Sequence, residues 1–180
     1  MELGLDATVK QISSGTNLVC VVLDDVRLSC WGSNIYYQLG RGYANSSSTT
    51  LTATPTVVDL GTGVKVAQAA TGDAHTCIMT QTGAIKCWGK NDSGQLGQEN
   101  TSNLGDESNE MGDSLLSIDL GTGKTARAIT AGDSHTCAVL DNASLKCWGK
   151  NDSGQLGLGN TSNRGDGSGE MGDNLPAIGL

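Results

Sequence analysis

The chain has 180 residues, a length that predicts one domain, or two at most, and excludes a large multidomain enzyme. Glycine is abundant at 26 residues, charged residues make up only 17% and phenylalanine is absent, so the composition favours many turns and thin, closely packed layers. Eleven basic and 19 acidic residues give a net charge of −8, which repels nucleic acid and anionic membranes. No apolar stretch approaches the ~20 residues that cross a bilayer. Neither nucleic-acid binding nor membrane insertion is therefore predicted.

A threefold repeat organises the chain. Cys-Trp-Gly triplets occur at 30–32, 87–89 and 147–149, and Gln-Leu-Gly triplets follow at 38–40, 95–97 and 155–157. Gly15, Gly72 and Gly132 each stand 16 residues before a tryptophan. Because these offsets are constant, the extra residues of the second period lie in the loop after Gln-Leu-Gly.

Four short strands are predicted in each repeat. In chain order, the clearest are Val57–Leu60, Leu115–Leu120, Ala126–Ile129, Thr136–Leu140 and Leu145–Trp148. Short runs bounded by Gly, Asn, Asp and Ser are typical of strands, and no window has a long helical pattern. Four strands per repeat is typical of a propeller blade. We therefore predict an all-β chain of three four-stranded antiparallel blades of a β-propeller, at about residues 7–60, 64–120 and 124–180.

The motif that spans each repeat resembles a known family. His-Thr-Cys, then Cys-Trp-Gly-x-Asn-x-x-Gly-Gln-Leu-Gly, runs from His75 to Gly97 and from His135 to Gly157, and is similar to the regulator of chromosome condensation repeat. The resemblance implies a β-propeller, usually of seven blades. Members include GTPase exchange factors, secreted enzyme inhibitors and repeat proteins of unknown role, so the resemblance implies the fold more firmly than the function.

The six cysteines form three pairs of one spacing, Cys20 with Cys30, Cys77 with Cys87 and Cys137 with Cys147. Each pair straddles a predicted hairpin turn, and a loop of three or five residues makes the two cysteines direct cross-strand neighbours. We predict one disulfide per blade and an oxidising compartment. Buried free thiols are the alternative, and a metal site lacks the short Cys-x-x-Cys spacing.

The histidines and tryptophans are predicted to be structural. His75 and His135 repeat at one blade position, where copy one has Leu18, each with Thr and Cys beside it. A catalytic histidine needs a nucleophile or carboxylate held at fixed geometry, so this repetition indicates a structural role, a hydrogen bond to neighbouring backbone. Trp31, Trp88 and Trp148 are expected to pack between blades. The chain contains no nucleophile elbow, phosphate-binding loop or zinc-protease motif, so we predict that it is not an enzyme.

The long loops after Gln-Leu-Gly carry acids that recur in register. They are Asp106, Glu110 and Asp113 in copy two, and Asp166, Glu170 and Asp173 in copy three. Oxygen donors in a Gly-rich loop suit Ca²⁺, which takes 6–8 oxygens, although the spacing is not that of an EF-hand. The alternative is that these acids cap turns and solvate the surface. No other cofactor is expected.

Asn-x-Ser triplets that would accept glycans in a secreted protein also occur. They lie at Asn45, Asn91, Asn100, Asn142, Asn151 and Asn160. An extracellular or cell-surface location is the expectation, with any secretory signal removed or upstream, because residues 1–6 lack the features of one.

Two functions remain open. The first is a non-catalytic repeat module, an extracellular structural or protein-binding propeller; the second is an intracellular regulator that resembles the GTPase exchange factors. Three blades are too few to close a ring, because propellers typically have 4–8. We expect a partial ring that is completed by further sequence, by a protein partner or by self-association, most simply as a six-bladed dimer.

Overall fold

The computed structural model describes residues 7–42 and 52–179. Ten strands form three antiparallel sheets, joined without any α-helix in the described residues. The first sheet, blade 1, contains β1 (Val9–Ser14), β2 (Leu18–Leu23), β3 (Leu28–Gly32) and β4 (Thr52–Val57). Blade 2 contains β5 (Val66–Thr71), β6 (His75–Thr80) and β7 (Ile85–Gly89). Blade 3 contains β8 (Ala126–Ala131), β9 (His135–Leu140) and β10 (Leu145–Gly149). The all-β prediction of three antiparallel blades is confirmed.

The central hairpin of each blade closes with a loop of odd length. In blade 1, Leu23 N–H donates to the carbonyl of Arg27 at 2.9 Å, which leaves three residues, 24 to 26, in the loop. The same bond joins Thr80 to Ala84 and Leu140 to Ser144 in the other blades, at 2.9 Å and 2.8 Å. An odd loop keeps residues at equal distances from the turn directly opposite each other, on one face of the sheet.

The turn between the first and second strands of a blade has room only for glycine. A Cβ built on Gly15 would collide with the carbonyl oxygen of Gly72, and one on Gly72 would collide with the ring of His75. These glycines therefore allow neighbouring blades to approach closely, and they are not among the residues with positive φ.

Two hydrophobic cores lie between blades. The first, between blades 1 and 2, includes Leu18, Leu28, Leu39, Ile78 and Trp88. The second, between blades 2 and 3, includes Ile85, Leu96, Ile129, Leu140 and Trp148. Each blade thus completes its core with side chains from the next blade, as expected for thin sheets without phenylalanine.

The fourth strand forms only in blade 1. There β4 begins at Thr52, and six positions later Val58 N–H donates to β3. In blade 2, Leu104 makes a single bridge to β7, and the next bond to β7 is made by Ile118, fourteen positions later. The intervening chain is too long to stay paired and forms a 3₁₀ turn at Gly112–Ser114.

Blade 3 repeats this arrangement, with a bridge at Arg164 and a bond from Ile178 N–H to the carbonyl of Leu145 at 2.8 Å. The predicted strand Leu115–Leu120 is therefore wrong as a strand, and the one predicted at Val57–Leu60 overlaps β4 only at Val57. In copies two and three the first contact with the sheet comes 7 residues after Gln-Leu-Gly instead of 12, and the second comes 21 residues after it instead of 18. The longer stretch between the two contacts is the reason that no fourth strand forms there.

Candidate functional site: the joints between blades

All six cysteines form disulfides. Cys20–Cys30, Cys77–Cys87 and Cys137–Cys147 join the second and third strands of each blade, with Cα atoms 4.2, 4.1 and 4.0 Å apart. Each pair is directly opposed in the strand register. The disulfide prediction is confirmed, and the alternatives of free thiols and a metal site are excluded.

The tryptophans join neighbouring blades. Trp88 Nε1 donates to the carbonyl of Gln38 at 3.0 Å, and Trp148 Nε1 donates to the carbonyl of Gln95 at 3.1 Å. Both indoles are fully buried. The glutamine of Gln-Leu-Gly in one blade thus accepts from the Cys-Trp-Gly of the next. Trp31, in blade 1, is only half-buried.

A threonine beside each tryptophan donates to the same carbonyl. Thr76 Oγ1 bonds the Gln38 oxygen at 2.8 Å, and Thr136 Oγ1 bonds the Gln95 oxygen at 3.0 Å. His75 Nε2 lies 3.0 Å from Thr136 Oγ1. Because the one hydroxyl proton of Thr136 is directed to Gln95, His75 must carry its proton on Nε2 and donate it.

This tautomer leaves His75 Nδ1 as a buried acceptor without a partner in the described chain. Burial lowers the pKa of His75 to about 4, and the nearby His135 adds to the decrease. Burial also lowers the pKa of His135, while Asp133 opposes that change. Among the described residues neither histidine forms a hydrogen bond to a carboxylate, so the geometry is that of a packing residue.

Two glutamines, which the sequence analysis did not identify, hydrogen-bond the first strands of neighbouring blades to each other. Gln11 accepts from the N–H of Ala69 at 2.8 Å and donates to its carbonyl at 2.9 Å. Gln68 bonds both backbone groups of Ile129 in the same way, at 3.0 Å and 2.9 Å. The sequence does contain a signal for these glutamines, because each stands four residues before the repeat glycine. In blade 3 the corresponding residue is Ala128.

The loop acids satisfy the backbone of their own loops. Glu110 Oε2 accepts from the N–H groups of Gly105, Asp106 and Glu107 at 2.9 to 3.1 Å. Glu170 Oε2 accepts from Gly165 and Gly167 at 3.0 Å and 2.9 Å. Burial, and the adjacent Glu110, raise the pKa of Asp106. Asp166 accepts a bond from the side chain of Asn163 at 3.3 Å.

The other two acids point away from these loops, towards the linkers between blades. Asp113 accepts from the N–H and hydroxyl of Thr62 at 2.6 Å and 3.0 Å, and Asp173 does the same for Thr122 at 2.9 Å and 2.6 Å. Within residues 7–42 and 52–179, no group of three or more His, Cys, Asp or Glu side chains is arranged to hold a metal. Calcium binding stays a prediction. Four of the six carboxylates, those of Glu110, Glu170, Asp113 and Asp173, already accept hydrogen bonds from backbone N–H groups.

The glycan acceptors fall into two groups. Asn91 and Asn151 are fully buried, and their side-chain amides donate to the carbonyls of Asn100 and Asn160, so neither is available for glycosylation. Asn100, Asn142 and Asn160 are exposed. Asn45 lies outside the described residues.

No helix in the described part of the chain is long and apolar enough to cross a membrane. The joints serve the packing of blades, since their threonine and tryptophan donors bond glutamine carbonyls across each blade interface.

Comparison with known proteins finds the same repeat. The regulator of chromosome condensation (RCC1) repeat matches residues 66–95 and 126–155, and a second profile of that repeat matches residues 27–79. The ultraviolet-B receptor UVR8 of Arabidopsis thaliana is 33% identical over 163 residues, which cover 89% of this chain. The X-linked retinitis pigmentosa GTPase regulator of Canis lupus familiaris is 33% identical over 152 residues, or 84% of it.

The fold matches as well. Prp20p of Saccharomyces cerevisiae, whose structure was described with its binding properties to Gsp1p and histones, superposes on 96% of this chain with a TM-score of 0.72 and 22% identity. The chain spans 31% of the length of the ultraviolet-B receptor, 14% of the GTPase regulator and 38% of the Prp20p chain. These proteins are thus much longer than the part of them that it matches.

Proposed function

Because the chain belongs to the regulator of chromosome condensation repeat family, we propose that it is a non-catalytic, protein-binding segment of a β-propeller that works outside the cell or at its surface. The observation that carries this proposal is the disulfide in each blade, Cys20–Cys30, Cys77–Cys87 and Cys137–Cys147. Disulfides persist in oxidising compartments and are rare in the cytosol.

The absence of a reactive arrangement in the described residues supports a non-catalytic role. His75 is buried and held neutral, and its Nε2 is occupied by Thr136. A general base must reach a substrate proton, which this geometry prevents. Binding of proteins is supported by the rigid joints, since they fix the loops between strands in place, and loops on a rigid scaffold are where binding residues concentrate.

The compartment is tested by counting thiols. Protein isolated from the cells that make it, denatured without reductant and treated with a maleimide, should take up no label at any of the six cysteines. Reduction before labelling should give six labels per chain. Labelling at all six without reductant would contradict the oxidising compartment.

Protein binding is tested by photo-crosslinking from the exposed loops in those cells, with crosslinks from the buried Trp88 position as the matched control. Partner proteins should appear only with the loop positions. Equal yields from both positions, or none, would contradict a binding role.

The alternative is a GTPase exchange-factor-like regulator inside the cell. It is favoured by the similarity to a GTPase regulator. Nucleotide release from a panel of small GTPases decides between the two. Faster release from any of them would favour this alternative.

A further inference from the structure

The turn between Cys-Trp-Gly and Gln-Leu-Gly has one backbone design in all three blades. An asparagine side chain accepts from the leucine N–H at 2.9 Å, for Asn34 with Leu39, Asn91 with Leu96 and Asn151 with Leu156. The glutamine side chain closes the turn from inside; Gln38 Oε1, for example, accepts from Tyr36 N–H at 2.8 Å. The side chains of the two residues after the asparagine are therefore not required to form the turn.

Blades 2 and 3 place Asp-Ser at these two positions, whereas blade 1 places Ile35 and Tyr36. Ile35 is 51% exposed and Tyr36 is 39% exposed. The next residue, Tyr37, has a φ of 65°, where the other blades have glycine. A non-glycine residue in this region costs about 1–2 kcal/mol. Blade 1 therefore carries backbone strain together with a run of large side chains that its fold does not need.

The exposure of Ile35 does not depend on a neighbouring blade, whereas Ser93, at the position of Tyr36, is half-buried in blade 2. Blade 2 has a blade on each side, yet the side chain of Asp92, which occupies the position of Ile35, is 57% exposed. The position therefore faces solvent in a fully flanked blade. Ile35, Tyr36 and the half-buried Tyr37 together form a run of large side chains at the surface, and exposed apolar patches are typical of interaction sites.

The basic groups near the pair are neutralised by carboxylates. Lys90 Nζ lies 5.0 Å from the centre of the Tyr36 ring, but its charge is matched by Asp92 at 3.0 Å, as that of Lys150 is by Asp152 at 3.2 Å. Asp73 is within electrostatic reach of Lys90.

Asp73 and Asp133 lie in adjoining turns, since Asp73 N–H donates to the carbonyl of Asp133 at 3.1 Å. Their carboxylates accept no hydrogen bond from the described residues. Asp73 and Asp133 therefore leave an excess of negative charge in these adjoining turns, and Asp73 acts electrostatically on the Lys90 that contacts the Tyr36 ring.

We propose that Ile35 and Tyr36 anchor a docking site for a basic, apolar segment of a partner protein. An aliphatic or aromatic side chain of the partner packs on the pair, and its lysines or arginines face Asp73 and Asp133. Tyrosine suits this role because it gives a large contact area and loses little conformational entropy. The site rests on the proposed protein-binding function and specifies the chemistry of the partner.

The test uses three synthetic 12-residue peptides, of alternating leucine and lysine, leucine and glutamate, or serine and lysine. The leucine–lysine peptide should bind and shift the amide signals of Ile35 and Tyr36 in the NMR spectrum. The other two should bind at least tenfold more weakly. The double variant Ile35→Asp with Tyr36→Ser, which copies the turn of blade 2, should lose at least tenfold in affinity while its other signals stay unchanged.

The reverse exchange is the matched control. Asp92→Ile with Ser93→Tyr should create a second site on blade 2. The proposal is overturned if the leucine–lysine peptide does not bind, binds the first double variant equally well, or binds no better than the glutamate peptide. It is also overturned if that variant instead abolishes self-association of the chain. Any of these results leaves crosslinking to a partner protein elsewhere intact, so failure of this site and failure of protein binding are distinguishable.

Discussion

Ala143 has a positive φ, a backbone conformation that is strained for any residue with a side chain. It occupies the third position of the β9–β10 loop with a φ of 66°, and Gly83 occupies the same place in blade 2. Ala143 is exposed, so its methyl group contributes little packing. Ala143→Gly should raise the free energy of unfolding by about 0.5–1 kcal/mol in chemical denaturation, because glycine adopts this conformation without strain.

The matched control is Gly83→Ala, which should lower stability. Its new Cβ would lie 2.8 Å from the carbonyl oxygen of Ala126, a contact that the backbone of the next blade cannot easily avoid. A loss of stability in Ala143→Gly would show that strain at this position is compensated elsewhere.

His75 makes stability depend on pH. Its pKa is about 4 in the folded protein, below the ~6.5 of an exposed histidine, so the folded state disfavours the proton that the unfolded chain takes up. The contribution is fully present above pH ~6.5 and is lost as pH falls towards 4, by about 3 kcal/mol in all. Denaturation at pH 7 and pH 4.5 measures it. His75→Leu, which copies Leu18 of blade 1, should flatten the dependence, and an unchanged slope would contradict this assignment.

At the scale of elements, Glu99 connects the loop of blade 2 with the loop of blade 3. It has a φ of 57° where the other blades have glycine, and its Oε1 accepts from Met171 N–H, in the loop of blade 3, at 2.9 Å. Backbone N–H groups of Met171, Gly169 and Glu170 lower its pKa. Glu99→Gln weakens a charge-assisted bond. Hydrogen exchange of those three amides should become faster.

Glu107→Gln removes the same charge from the neighbouring loop without touching this contact, so it should leave exchange at these amides unchanged. Equal acceleration in both variants would mean that net charge, and not the contact, controls the loop.

The sequence predicts the elements whose partners are close in the chain. The disulfide between Cys77 and Cys87 follows from spacing and an odd loop, both of which are local. The fourth strand does not, because its pairing depends on how the long loop crosses the sheet between Leu104 and Ile118. The position of Gln68 in the repeat could be noticed, but its partner Ile129 could not be predicted, and neither could the contact of Glu99 with Met171, since each joins residues of different blades.

At the scale of the whole molecule, the two blade faces without a neighbouring blade, one on blade 1 and one on blade 3, differ from each other. In the joint between blades 2 and 3, blade 2 supplies a glutamine carbonyl, a histidine and a glutamine side chain that bonds the next blade, and blade 3 supplies threonine and tryptophan. Blade 3 has Gln155 and His135 for the first role but Ala128 in place of the bonding glutamine side chain. Blade 1 has Trp31 for the second role but Val19 in place of threonine.

A six-bladed dimer would therefore retain only the bond from Trp31 to Gln155 at each junction. The double variant Val19→Thr with Ala128→Gln supplies the missing threonine hydroxyl and the missing glutamine amide. Each hydrogen bond contributes about 1 kcal/mol, or roughly fivefold in affinity. Sedimentation equilibrium should show the double variant associating at least fivefold more tightly than the unmodified chain. Val19→Ala with Ala128→Ser is the control, which changes the same positions without supplying a full amide. If the unmodified chain already forms a tight dimer that neither variant changes, then the copies do not meet through these blade faces.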